Sequence, residues 1–129
     1  MNRHEAREYA FQKIYEIDVM KGWDAPDIDS MIDSDALKKQ EEYVRTVISL
    51  TAEHLNDIDG KINIVSDGWT TGRMNKTDLA IIRLASCEIL YIEDIPKAVS
   101  VNEAVEIAKL YGSEKSPGFI NAILAKVDR

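Results

Sequence analysis

The sequence predicts an all-α protein of six to seven helices, arranged as two small three-helix bundles packed together. Three observations predict it. Prolines occur only at Pro26, Pro96 and Pro117, each at a helix border. Apolar residues recur at helical spacing along most of the chain, and no stretch sustains the period-two alternation of a half-buried strand. The 129 residues, 45% hydrophobic and 30% charged, suit one compact domain. Residues 1–67 and 68–129 are expected to form its two subdomains. Each is marginal in size alone, so a shared core is required.

The first helix is expected over residues 3–20. Asn2 and Glu5 have the spacing of a capping box. Ala6, Ala10, Ile14 and Ile17 fall on one arc, with Tyr9 and Met20 beside it, while Glu5, Glu8, Gln12 and Glu16 make a solvated face. An acidic connection over 21–35, around Gly22 and Pro26, holds at most one helical turn at 27–31. A long helix follows over 36–57, burying Leu37, Val44, Ile48, Thr51, Leu55 and Ile58. A short one covers 57–67, with Ile58, Ile62 and Val65 apolar. Gly68 to Gly72 separates the halves. The fourth helix starts near Asn75, with Asp78 three residues on, and is apolar on almost every side, as a bundle's central helix must be. Ser100 and Glu103 read as a second capping box, ahead of a helix with Val101, Ala104, Val105 and Ala108 inside. Gly112 closes it. Ser116 then caps a last helix with Pro117 at its first position and Ile120, Ile123, Leu124 and Val127 inward.

Composition narrows the function classes. No apolar run is long enough for a membrane span, and the opening MNRHEAREYA lacks a signal core, so a cytoplasmic protein is expected. The lone Cys87 forms no internal disulfide, and with His4 and His54 makes a poor ligand set, so no metal or cofactor is expected. There is no Gly-rich phosphate loop, HExxH, CxxC or G-x-S-x-G, so the chain does not read as an enzyme. Glu106 is expected to pair with Lys109, three residues on. The net charge of −7 is uneven: residues 16–35 hold seven acids and one base, leaving the rest near neutrality. Anion binding therefore needs a local basic patch.

Three places are candidates for contact with a nucleic acid. Arg3, His4, Arg7, Phe11 and Tyr15 share a face of the first helix, joining cations for phosphates to rings for bases. Short aromatic stripes belong more often to cores, and that reading is favoured here. Arg83 is the only charge between Leu79 and Cys87. It must find either an internal acid such as Glu103 or a phosphate, and both readings stay open. Phe119 lies one position off the inner stripe of the last helix, as a stacking platform or as a core-edge aromatic.

The segment DLAIIRLASCEILYIEDIPKAVSVNEAVEIAKLYGSEKSPGFINAILAKV resembles the C-terminal half of the NusB transcription antitermination family, and HEAREYAFQKIYEID resembles its first helix. The resemblance implies a NusB-like helical fold and a non-enzymatic role. That role is binding boxA-type single-stranded RNA with the ribosomal protein NusE, on the RNA polymerase elongation complex, in support of ribosomal RNA operon transcription. It implies RNA contacts at Arg3, His4, Arg7, Arg83, Lys115 and Phe119. It implies a partner-protein surface on the third and fourth helices that includes Asp78 and Tyr15. Asn102, Glu103 and Asn121 match motif positions taken as structural, as caps and a buried hydrogen bond. A homodimer covering the RNA face is also compatible with the family; a membrane is not involved. Glu5 interrupts a sparse basic set where family members carry a run of arginines. Fewer phosphate contacts imply weak RNA binding by the isolated chain. The alternative is a helical protein-interaction module of the transcription machinery with little RNA binding of its own.

Overall fold

A computed structural model describes residues 1–129. In chain order the helices are α1 (Arg3–Val19), α2 (Ile28–Met31), α3 (Ser34–Leu37), α4 (Glu41–Glu53), α5 (Leu55–Val65), α6 (Lys76–Tyr91), α7 (Lys97–Tyr111) and α8 (Ser116–Leu124). There are no strands; α2 and α3 are single turns. The all-helical expectation is met, with six helices of nine residues or more.

Helix α6 is the axis of the molecule. Its residues from Asp78 to Leu90 are all buried. Helices α1, α4 and α5 cover part of its surface, and α7 and α8 the rest. A helix apolar all round is stable only when wrapped in this way. Its start is fixed by Asn75, whose side-chain oxygen accepts from the Asp78 backbone N–H at 2.8 Å. On α1 the expected box is complete: Asn2 accepts from the Glu5 N–H at 2.8 Å, and Glu5 accepts from the Asn2 N–H at 2.9 Å. The inward arc of α1 is Ala6, Ala10, Ile14 and Ile17, all buried. The helix ends in a Schellman turn, with Gly22 N–H donating to the Ile17 carbonyl and Lys21 N–H to that of Asp18. Met20, expected beside the core, is exposed there.

Several expectations need correction. The long helix over 36–57 is broken. A 3₁₀ turn over Lys38–Gln40 separates α3 from α4, and Lys38 has a φ of 51° that no α-helix accommodates. The chain leaves α-helical geometry again at His54, so α5 begins at Leu55 rather than near Asp57. The second capping box does not exist: Pro96 starts α7 four residues earlier, and Ser100 is a buried interior residue. Ser116 is the first residue of α8 rather than its cap, and its hydroxyl instead accepts from the Ser113 N–H at 2.9 Å. Asn102 and Asn121 are exposed, so neither makes a buried hydrogen bond. Gly112 does end α7, but with a φ of −92°. Its need is for space, since a Cβ there would lie 2.6 Å from Ser116 Cβ and 2.8 Å from the Ala108 carbonyl.

Candidate nucleic-acid interface

The basic residues of α1 divide by one turn. Arg7 points inward and is 6% exposed. Its Nε and Nη2 donate to the two oxygens of Glu88 at 2.9 and 3.3 Å. Glu88, 1% exposed, also accepts from the Tyr43 hydroxyl and, at 2.8 Å, from Ser100 Oγ. A carboxylate buried so deeply is costly unless its oxygens are met by donors such as these. Burial alone would lower the Arg7 pKa, but the Glu88 hydrogen bonds outweigh it and raise it. Burial and the adjacent Glu88 charge raise that of Tyr43. Arg7 is therefore a tie between α1 and α6, engaged from both sides.

Arg3 stays on the surface. Its Nε donates to Gln40 at 2.6 Å and its guanidinium lies 4.2 Å from the centre of the Tyr43 ring. His4 bridges two acids, with Nε2 3.0 Å from Glu8 and Nδ1 2.5 Å from Glu103. The hydrogen bond to Glu103 raises its pKa despite some desolvation, and the Glu8 charge adds to this. Glu103 is thus an ion-pair partner across helices and closes no cap. The His4 charge is already matched by two carboxylates, so this end of α1 is not strongly basic.

Arg83 resolves toward the internal pair, though with other partners than Glu103. It is 5% exposed and donates through Nε and Nη2 to the carboxylate of Asp59 at 2.9 and 2.7 Å. Its Nη1 lies 3.1 Å from Asp18, and the guanidinium is 5.5 Å from the centre of the Trp23 ring. Asp18 also accepts from Trp23 Nε1 at 3.0 Å. Burial would raise the Asp18 pKa; the Trp23 hydrogen bond and the Arg83 and Lys76 cations hold it below the usual carboxylate range. This cluster lies about 16 Å along α1 from Arg7, counting 1.5 Å per residue. Its side chains do not join those at the N-terminus in one groove.

A second grouping lies where α6 begins. Lys115 and Phe119 from α8 and the turn before it line a cavity of about 310 Å³ with Asp78, Asn75, Ser113 and Trp69. Trp69, half exposed in the connection after α5, meets the Phe119 ring edge-on at 6.0 Å between centres. The Arg73 guanidinium lies 5.4 Å from the centre of the Trp69 ring. Lys115 is exposed. A neighbouring cavity of about 330 Å³ is lined by Phe11, Gln12, Tyr15, Glu16, Thr77 and Tyr111. Phe11 is buried and packs on Tyr111 at 5.2 Å, so the core reading holds for it, while Tyr15 and Tyr111 remain exposed. Tyr15 and Asp78 thus line different, neighbouring cavities, and Asp78 lies beside Lys115 and Phe119.

Glu88, Tyr43, Trp69 and Arg73 were not among the sequence candidates. Glu88 had the same signal as Arg83, a lone charge in an apolar helix. Trp69 had none, as a single aromatic in a loop has no periodicity.

The NusB family model matches residues 4–129. The chain belongs to the NusB family. A relative from Pelotomaculum thermopropionicum, described as transcription antitermination protein NusB, is 44% identical over 98% of this chain and 89% of its own length. Another of the same description, from Oceanobacillus iheyensis, is 37% identical over 98% of both chains. The solved structure of T. maritima NusB superposes with a TM-score of 0.88 at 31% identity, covering 98% of this chain and 90% of that one. The solution structure of Aquifex aeolicus NusB, 22% identical with a TM-score of 0.76, shares the fold. Membership of NusB makes this chain a member of a transcription antitermination family.

Proposed function

We propose that the chain binds boxA-type single-stranded RNA together with the ribosomal protein NusE in the cytoplasm. The two would load onto the RNA polymerase elongation complex and support transcription of ribosomal RNA operons. The observation that carries the RNA part is the cavity shared by Lys115, Phe119 and Trp69, with Arg73 against the Trp69 ring. It combines exposed cations with flat rings, the pairing that unpaired nucleotides require. Arg3 extends the contact at the far end of α1. The groove between Tyr15 and Tyr111, with Glu16 in its wall, suits a basic partner protein.

His4, Arg7 and Arg83 are each matched by carboxylates. We assign Arg7 and Arg83 to positioning α1 and α5 against α6. With these charges spent internally, the isolated chain binds RNA weakly and the partner supplies much of the affinity. The same pairing favours the second reading, a protein-interaction module with little RNA affinity of its own.

A salt titration of boxA-type RNA binding, with and without the ribosomal partner, tests the proposal. Tighter binding in the partner's presence, and a salt slope reduced by about one in Lys115→Glu, are expected. Equal affinity in both conditions refutes the cooperative role. No binding in either leaves the protein-interaction module.

A further inference from the structure

Most arginines of the chain are neutralised at close range. Arg7, Arg45, Arg83 and Arg129 each stand 2.9 Å or less from a carboxylate oxygen. Arg3 has no such acid, yet it is not loose. Its Nε donates to Gln40 Oε1 at 2.6 Å, and its guanidinium rests 4.2 Å from the centre of the Tyr43 ring. Both Nη groups are left without a protein acceptor. The ring beneath is itself fixed. Tyr43 is 7% exposed, and its hydroxyl donates to Glu88, which Arg7 and Ser100 also bind. Gln40 closes the 3₁₀ turn before α4. That turn is entered through Lys38, whose φ of 51° and ψ of −118° lie outside the regions L-residues prefer. Backbone strain of this kind collects at sites that hold a ligand. Here it stands two residues from the group that grips Arg3.

We propose that Gln40 and Tyr43 are positioning residues for RNA, holding the Arg3 guanidinium as a preset fork whose two Nη groups meet one phosphate of the bound strand. The proposal rests on the RNA-binding reading above. A guanidinium meets phosphate oxygens through two parallel N–H bonds, a geometry that a lysine ammonium cannot reproduce. Ordering a long side chain on binding costs affinity, and a side chain already ordered in the free protein avoids that cost. Gln40 takes the Nε, and the ring fixes the plane. One exposed cation thus contributes more than its charge alone. This offsets the sparse basic set of α1, where His4 is spent on Glu8 and Glu103. The buried Glu88 cluster acts at the surface through the Tyr43 ring that it locks.

The test uses the full chain with saturating ribosomal partner and a fluorescently labelled boxA-type RNA, with anisotropy followed over a range of salt. Gln40→Ala should weaken binding by about two- to tenfold and leave the salt slope unchanged, because the charge stays and only its order is lost. Arg3→Lys should do the same, since it keeps the charge and loses the fork. Arg3→Ala should also lower the slope by about one. Added to either Arg3 variant, Gln40→Ala should cost nothing further. Gln40 is half-buried at the surface, so its variant should melt with the unaltered chain. An Arg3→Lys chain that binds as tightly as the unaltered one overturns the fork. So does a Gln40→Ala loss of equal size with and without the Arg3 guanidinium, the result expected of a residue that only supports the start of α4. In both cases the RNA reading stands. No binding by the unaltered chain, with or without the partner, removes both.

Discussion

Replacing Arg7 by Met separates a structural guanidinium from one that touches RNA. In the unaltered chain, Glu88 receives two N–H bonds from Arg7, one O–H from Tyr43 and one from Ser100, at 1% exposure. Arg7→Met leaves the carboxylate with two neutral donors and no counter-charge. Breaking a buried pair from one side costs about 3–5 kcal/mol. For a domain of this size, 1 kcal/mol moves the melting temperature by roughly 3–5 °C, so a fall of about 9–25 °C is expected. Glu88→Leu should cost somewhat less, because the guanidinium keeps Glu103 at 3.9 Å. The double variant should recover at least half of the summed loss, because neither charge is then buried alone. Thermal melts by circular dichroism of all four proteins give the coupling directly. Additive losses, or an Arg7→Met protein that melts within about 1 kcal/mol of the original yet loses RNA affinity, would refute the assignment. They would return Arg7 to the phosphate-binding set.

Two ion pairs predict opposite pH behaviour. Asp18 is held below the usual carboxylate range, so its contribution is full above about pH 4 and is lost as pH falls through its lower folded value. The stability gap between the unaltered chain and Asp18→Asn should therefore close as pH falls below the usual carboxylate range. His4 is raised, so its contribution is full below about pH 6.5 and fades as pH rises through its higher folded value. Exposure keeps the effect of His4→Gln near about 0.5 kcal/mol, and melts at rising pH should show that gap vanishing. Gly112→Ala should destabilise by about 1–3 kcal/mol in denaturant titration, since its Cβ must displace Ser116 or the Ala108 carbonyl. An unchanged midpoint would show that the turn gives way freely. Burial pushes the Cys87 thiol up to about 12. An aromatic disulfide reagent at pH 8 should modify it only under denaturing conditions, and rapid native labelling would contradict the packing of α6.

Local signals located most of the helices. Asn2 and Asn75 cap as their spacing indicates, and the apolar run of α6 announces its central place. The false capping box has a plain cause: S-x-x-E has the same spelling in the first turn of a helix and in its middle. Only the start imposed by Pro96 shows that Ser100 is interior. The breaks at Lys38 and His54 involve neither Gly nor Pro, so no residue marks them. At the candidate site, residue type foretold that Arg83 needs a partner but not which one. Arg7 meets Glu88 across 81 residues and Arg83 meets Asp59 across 24, pairings that only the tertiary fold creates. Lys115 and Phe119 are near in sequence, whereas Trp69 reaches them because α5 ends beside α8.

The enclosure of α6 also bears on how the chain is made. Translation delivers this greasy rod while the stretch from Ile92 to Arg129, which supplies α7 and α8, is still unsynthesised or inside the ribosome. For that interval its flank has only α1, α4 and α5 for shelter, and the nascent protein is at its most adhesive. A stop codon in the linker after α6 should thus yield insoluble or rapidly degraded product rather than a working half.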